Sequence, residues 1–121
     1  MPDAVMIVEA GSLNLLFANA FAEKITERSL GRSAQLDLNR LQGEVRYPDG
    51  RVYDRSDWPI MRAMKGEKVT DEECSYVLPD GGSLTLRVSS APVYDGEGKI
   101  VAAVAVGRDV SEYEDSDDGL A

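Results

Sequence analysis

Short apolar runs, separated by turn-forming residues, recur along this chain and alternate with polar positions. The first run, at residues 4–8, has no helical period and predicts a β-strand. A turn-like segment at 9–12 leads into a second apolar run at 13–18, so the two runs predict an N-terminal hairpin. Asn19 then offers a side-chain cap to a helix that carries Ile25 on its apolar face. The chain is therefore predicted to begin strand, strand, helix.

The middle of the chain carries weaker patterns. Scattered leucines within residues 29–53 favour short helical pieces, and the segment 47–50 favours a turn, but no boundaries can be drawn. Farther on, Ser56 or Asp57 can cap a helix that has Pro59 in its first turn. The larger apolar residues of this helix recur every three positions: Trp58, Met61 and Met64.

Three alternating segments follow, at residues 69–78, 84–90 and 100–108. Turn sequences at 79–82 and 95–98 join them, and such short connections predict an antiparallel meander. Their alternation assigns these residues to single strand faces: Cys74, Tyr76 and Leu78 on the first strand, and Leu86, Val88 and Ser90 on the second. The element order, strand-strand-helices-strand-strand-strand, predicts an α+β fold.

The last strand is apolar on both faces. One face carries Ile100, Ala102, Val104 and Val106, and the other carries Val101, Ala103, Ala105 and Gly107. A strand that is apolar on both faces is normally covered on both. The helices can cover one face, and the other calls for a flanking helix or a second copy of the protein. The alternative is a central strand that is only lightly covered.

A helix start is also encoded directly after the last strand. Ser111 and Glu114 have the spacing of a capping box, in which a hydroxyl and a carboxylate satisfy the first backbone N–H groups. The following segment, 115–119, is acidic and turn-prone. Either the helix continues in a longer protein from which this module comes, or the segment is a frayed native C-terminus.

Composition narrows the possible functions. The chain has 121 residues, enough for one domain, and its 13 basic and 22 acidic residues give a net charge of −9. Such a charge opposes binding to nucleic acid or to anionic membrane surfaces. The longest apolar stretch, 100–107, is far short of the ~20 residues that span a bilayer.

Few residues in the sequence could support catalytic or redox chemistry. The sequence contains no histidine, which removes imidazole bases and histidine-ligated metals, and the carboxylates and hydroxyls have no partner base. Its single cysteine, Cys74, excludes internal disulfides and fits a reducing compartment. We therefore expect a soluble, cytoplasmic domain that is not an enzyme.

In this order and at these distances, several segments resemble those of PAS (Per-Arnt-Sim) sensor domains. The matching segments are residues 2–8, 16–21, 58–67, 79–81, 89–93 and 107–112. The last of them resembles the Asp-x-Thr exit motif of the family, with Asp109 and Ser111 at the acidic and hydroxyl positions. The resemblance covers nearly the whole chain, and residues 29–54 depart most from the family pattern.

The resemblance implies a five-stranded antiparallel sheet with short helices on one face and a cavity between them. It further implies a domain at 1–113, with 114–121 as the start of an exit helix or linker. The module would belong to a larger prokaryotic sensor such as a histidine kinase, would form a homodimer through the outer sheet face, and would signal through Asp109 and Ser111 to an output domain in the same chain. The alternative is a dimerisation or docking module of the same fold that senses nothing.

Combining the strand faces with the family geometry places eleven residues around the cavity: Met6, Val8, Trp58, Met61, Cys74, Tyr76, Leu86, Val88, Ser90, Ala105 and Gly107. Small residues among them would leave space for a small-molecule ligand, which Tyr76 and Ser90 could orient by hydrogen bonds. The alternative is an ordinary core in which larger neighbours fill that space.

The cofactor, if there is one, is not identified by the sequence. Haem ligated by histidine is disfavoured because histidine is missing, and a cysteinyl-flavin is disfavoured because the Asn-Cys-Arg-Phe motif of the flavin-binding branch is missing. Acidic residues at 71–73 lie just before Cys74 and disfavour its thiolate, so a structural thiol is favoured over a redox sensor.

Overall fold

The computed structural model describes residues 3–30, 41 and 43–110 of the chain. Within these residues, six strands form one antiparallel sheet in the order β2-β1-β6-β5-β4-β3. The strands are β1 Asp3–Glu9, β2 Leu15–Ala18, β3 Glu44–Arg46, β4 Val69–Val77, β5 Ser83–Tyr94 and β6 Ile100–Asp109. The helices are α1 Ala20–Leu30 and α2 Pro59–Met64, the second preceded by a 3₁₀ turn at Arg55–Asp57.

The predicted PAS-like α+β architecture is confirmed. The N-terminal hairpin joins the C-terminal meander edge to edge, because β1 pairs with β6 along its whole length, for example Met6 with Ala105 and Ala4 with Gly107. The structure adds a sixth strand, β3, which lies in the segment 29–53, where no boundaries could be predicted. β3 has only three residues, too few to show an alternating pattern.

The strand-to-helix corner depends on Asn19. Its side-chain oxygen accepts hydrogen bonds from the backbone N–H of Ala22 at 3.0 Å and of Val5 at 3.1 Å. Its side-chain nitrogen donates to the carbonyl oxygen of Asp3 at 2.8 Å. The predicted helix cap is therefore present, and the same amide also fixes the start of β1 against α1.

α2 differs from its prediction at its cap. Neither Ser56 nor Asp57 caps it: the helix begins at Pro59, and its N-cap residue, Trp58, makes no side-chain capping bond. Of the three larger apolar residues at three-residue spacing, Trp58 is buried, and Met61 and Met64 are half-buried and pack against the core. The fully buried residues within the helix are Pro59, Ile60 and Ala63.

β5 runs beyond its predicted end and includes Pro92. β4 pairs with β5 only as far as Ser90, so Pro92 has a neighbouring strand on one side alone, where it pairs with Ala103 of β6. Proline has no N–H group to donate to a neighbouring strand. It is tolerated at this position because no second strand requires that hydrogen bond.

β6 lies between β1 and β5, and its two faces meet different surroundings. Ala103, Ala105 and Gly107 are buried on the face toward the helices. Val104 and Val106 are half-buried on the opposite face, which we call the outer face. No helix in the described part of the chain is long and apolar enough to cross a membrane.

Replacing Asn19 by Ala removes three hydrogen bonds at once. We expect the Asn19→Ala variant to lose about 1–3 kcal/mol of unfolding free energy, because it loses the cap and leaves two backbone N–H groups and a carbonyl without this partner. Asn19→Asp retains the acceptor for Ala22 and should lose less. Urea unfolding followed by circular dichroism measures both, and equal stability of Asn19→Ala and the wild type would contradict this role.

Candidate functional site

A cavity of about 120 Å³ lies between the inner face of the sheet and the helical side of the domain. Its sheet residues are Ala4, Met6, Val45, Cys74, Tyr76, Leu86, Val88, Ala105 and Gly107. Its remaining wall, which we call the roof, is formed by Ala22, Ile25, Leu41, Trp58, Pro59 and Ile60. The cavity therefore spans five strands and both helices.

Small residues at the centre of the sheet leave this space open. Ala4 of β1 pairs directly with Gly107 of β6, and Met6 pairs with Ala105, so three of these four paired positions carry no more than a methyl group. A Cβ atom placed on Gly107 would meet only Leu86 and Val88, at 3.7–3.9 Å, which is ordinary van der Waals contact. The site could therefore accommodate a larger side chain, and glycine leaves that volume unfilled.

The structure brings eight of the eleven sequence-predicted residues to the cavity wall: Met6, Trp58, Cys74, Tyr76, Leu86, Val88, Ala105 and Gly107. The other three are placed beside it. Val8 is 1% exposed in the core and pairs with Ala103. Met61 is half-buried and packs against the core, because the inner side of α2 is formed by its neighbours.

Ser90, the third residue that does not line the cavity, connects the sheet to the roof. Its hydroxyl donates a buried hydrogen bond of 2.7 Å to the carbonyl oxygen of Pro59. The proposed role in orienting a ligand is therefore corrected: the hydroxyl proton is already used within the protein. β6 ends at Asp109, while Ser111 lies outside the described residues.

Seven lining residues were not found from the sequence: Ala4, Ala22, Ile25, Leu41, Val45, Pro59 and Ile60. Ala4 could have been found, because it shares a strand face with Met6, and Ala22 and Ile25 have the three-residue spacing of one helix face. Leu41 and Val45 lie where no periodicity is visible. They are recognised only once β3 is seen to pair with β4.

Two aromatic rings form part of the wall. Trp58 and Tyr76 contact each other edge to face, with ring centroids 6.3 Å apart and an interplanar angle of 89°. A Cβ atom on Gly43 would lie 2.5 Å from the phenol end of Tyr76, so only glycine allows the backbone this close to the ring. Arg55 stacks over Trp58 at 4.5 Å and donates to the carbonyl oxygen of Leu41 at 2.7 Å, linking two roof residues.

The thiol of Cys74 is a poor nucleophile in this position. Burial, together with a smaller effect of the nearby carboxylates of Glu72 and Glu73, raises the pKa of the Cys74 thiol to about 11. The thiol therefore stays protonated and uncharged near neutral pH. This state agrees with the structural role predicted from the acidic residues before it.

A group of charged and polar residues at one side of the cavity fastens α2 to β4. Arg62 of α2 donates to Glu72 of β4 at 2.8 Å and also to Glu67 at 2.8 Å. The Tyr53 hydroxyl donates to Glu72 at 2.7 Å, and its ring stacks on Tyr47 with centroids 3.8 Å apart. Together with the Ser90–Pro59 bond, these contacts connect the roof to the sheet, and we call them the roof contacts.

The protonation of this group follows from its contacts. Burial opposes the charge on Glu72, but hydrogen bonds from Arg62 and Tyr53 outweigh it and keep the pKa of Glu72 below its ordinary value. The hydrogen bond from Arg62 to Glu72 raises the pKa of Arg62. Burial, followed by the bond to Glu72, raises the pKa of Tyr53. All three groups therefore keep their usual charge at neutral pH.

This arrangement predicts how stability changes with pH. Because the folded-state pKa of Glu72 lies below its unfolded value of 4.5, its contribution to stability is present above pH 4.5 and is lost as the pH falls through the folded-state pKa. At pH 7 we expect Glu72→Gln to unfold more easily by about 1–2 kcal/mol, and its difference from the wild type should shrink below pH 4.5.

Glu73→Gln is the matched control for this prediction. Glu73 contacts Arg87 only at 3.8 Å through exposed side chains, so its loss should change stability by about 0.5 kcal/mol or less. Urea midpoints measured between pH 3 and pH 8 test both variants. A Glu72→Gln variant with the same pH profile as the wild type would show that Glu72 contributes nothing to this dependence.

The sequence matches no protein-family model and no curated protein. Solved structures match it in fold. The PAS domain of nitrogen regulation protein NR(II) from Vibrio parahaemolyticus is 21% identical, with 88% of each chain covered and a TM-score of 0.55. A PAS domain from Colwellia psychrerythraea is 18% identical over 91% of this chain and 87% of that one, with a TM-score of 0.60.

The third similar structure is the LOV domain of the blue-light activated histidine kinase EL346 from Erythrobacter litoralis. It is 18% identical, with 90% of this chain and 96% of that one covered and a TM-score of 0.56. At these identities the likeness concerns the fold. The chain therefore has the PAS fold.

Proposed function

We propose that this chain is a PAS-type sensory domain of a larger prokaryotic sensor protein, in which occupation of the cavity regulates an output domain. The observation that carries the proposal is the cavity itself. Protein interiors are close-packed, with few voids larger than a water molecule, whereas this one measures about 120 Å³. A domain that served only as a scaffold would gain stability by filling it.

β6 supplies a direct route from the cavity to the end of the domain. Ala105 and Gly107 line the cavity, and the strand ends two residues later at Asp109. The next residue, Val110, is buried and donates its N–H to Thr85 at 2.9 Å. A shift of β6 at the cavity would therefore move the chain where it leaves the sheet. We propose Asp109 and Ser111 as the residues that pass this shift to an exit helix.

The type of output is proposed from the fold neighbours. One similar structure belongs to a protein named as a histidine kinase, and another to a nitrogen regulation protein. A two-component sensor is therefore the parent that we propose. The domain would act in the cytoplasm, without catalysis of its own and without contact to nucleic acid or membrane.

The outer face supports self-association. Ile7, Val104 and Ala91 lie side by side across β1, β6 and β5, and Val5 lies beside Val106 in the next row. Two larger apolar residues at the margins of this surface are well exposed, Phe17 at 50% and Val93 at 39%. An apolar sheet face of this kind is typical of a protein–protein contact, and we propose a second copy of the chain as its partner.

The outer face also keeps a second candidate function open, a dimerisation or docking module that senses nothing. Native mass spectrometry of the chain purified from cells separates the two. A sensory domain should retain a small molecule at one per chain, seen as added mass that is lost on denaturation. A dimer without such a molecule would favour the docking module and would contradict sensing.

Dimerisation has its own test. We expect Val104→Glu to convert a dimer to a monomer, since it places a charge in the centre of the outer face. Val52→Glu is the matched control, because Val52 is 53% exposed and lies outside the sheet strands. Sedimentation velocity gives the mass of both variants, and far-ultraviolet circular dichroism checks that they fold. A folded Val104→Glu variant that remains dimeric would exclude this interface.

A further inference from the structure

We infer that the ligand of the cavity is a small, uncharged, apolar molecule of about the size of one benzene ring. The inference rests on the proposed sensory function and adds the chemical class of the ligand. Three features of the cavity support this inference: the chemistry of its wall, the hydrogen bonds that the neighbouring polar groups already make within the protein, and its volume.

The wall offers an ionised ligand no partner. Among the described residues, no charged side chain lines the cavity, and the lining is aliphatic and aromatic apart from the Cys74 thiol and the Tyr76 phenol. The phenol end of Tyr76 lies against Gly43. A buried carboxylate, phosphate or ammonium group without a counter-charge loses its hydration without compensation, so the wall selects against such ligands.

The nearby polar groups are already satisfied within the protein. The Ser90 hydroxyl donates to the carbonyl oxygen of Pro59. Arg62, Glu72 and Tyr53 contact one another, so a charged ligand could recruit them only by breaking the contacts that fasten α2 to the sheet. A ligand without charge leaves all of these bonds intact.

The cavity has room for about one ring. An engineered apolar cavity of about 150 Å³ binds benzene or xenon, and pockets for drug-sized molecules measure about 300–1,000 Å³. At about 120 Å³, this cavity lies at the small end. Trp58 and Tyr76, which already meet edge to face, present aromatic surface to which another ring can pack in the same manner.

Benzene and sodium benzoate are suitable probes, because they share the ring and differ by one charge. Each is titrated into the ¹⁵N-labelled chain and followed by amide chemical shifts. We expect benzene to produce saturable shifts at Cys74, Ala105 and Gly107, and benzoate at the same concentrations to leave these amides unchanged. Benzoate binding as tightly as benzene would overturn the inferred class.

Matched variants locate the binding. Ala105→Val adds two methyl groups on the cavity face of β6, and Ala20→Val adds the same two at the exposed first residue of α1, outside the cavity wall and the outer face. We expect Ala105→Val to weaken benzene binding about tenfold or more and Ala20→Val to leave it unchanged. Gly107→Ala, whose added Cβ would make only ordinary contacts, serves as a second filling variant should Ala105→Val fail to fold. Equal weakening by Ala20→Val would overturn binding in the cavity.

The outcomes separate this inference from the function on which it rests. If native mass spectrometry finds a retained polar or ionised molecule while benzene does not bind, the apolar class is wrong and the sensory function stands. If no molecule is retained and benzene does not bind, both fail together. Binding of benzene that is lost only in the cavity-filling variants supports the inferred class.

Discussion

The central constraint in this domain is that the roof stays above a sheet centre made of small residues. A cavity of about 120 Å³ leaves its lining side chains without packing partners on that side, so closer packing of the roof onto the sheet would gain contacts if nothing opposed it. The roof contacts oppose it, because the Ser90 hydroxyl donates to the carbonyl oxygen of Pro59, and Glu72 accepts hydrogen bonds from Arg62 and Tyr53. Closer packing would have to break these buried or half-buried hydrogen bonds, which is costly. The roof contacts thus keep the cavity open.

A small apolar ligand could act as a signal because it fills the cavity without breaking the roof contacts. A bias of a few kcal/mol is enough to shift a two-state equilibrium. Ala105 and Gly107 of β6 are among the residues that line the cavity, so a bound ligand would contact this strand directly. β1 and β5 bind β6 along both edges, so the strand responds as part of the sheet and not as a free segment.

Much of this arrangement could be predicted from the sequence, and the remainder could not for physical reasons. Alternation in β4, β5 and β6 identified the inner faces, since a strand shows its buried side with a period of two. The helical side was less predictable. In α2 the spacing of Trp58, Met61 and Met64 identified residues that pack in or against the core, but it did not reveal Pro59, Ile60 and Ala63, because a helix of six residues is positioned by its contacts as well as by its own pattern. β3 and Leu41 gave no pattern, and the satisfied state of the Ser90 hydroxyl depends on a carbonyl 31 positions away.

The two faces of β6 connect the proposed sensing and the proposed dimer. Ala105 and Gly107 face the cavity, while Val104 and Val106 alternate with them on the outer face. A displacement of this strand cannot move one set of side chains without moving the other, because they share one backbone. If both proposals hold, ligand binding and dimerisation are thermodynamically linked, and each must change the affinity of the other by the same factor. The small residues of β6 would then determine both the volume that a ligand can fill and how strongly a bound ligand affects dimerisation through this shared strand.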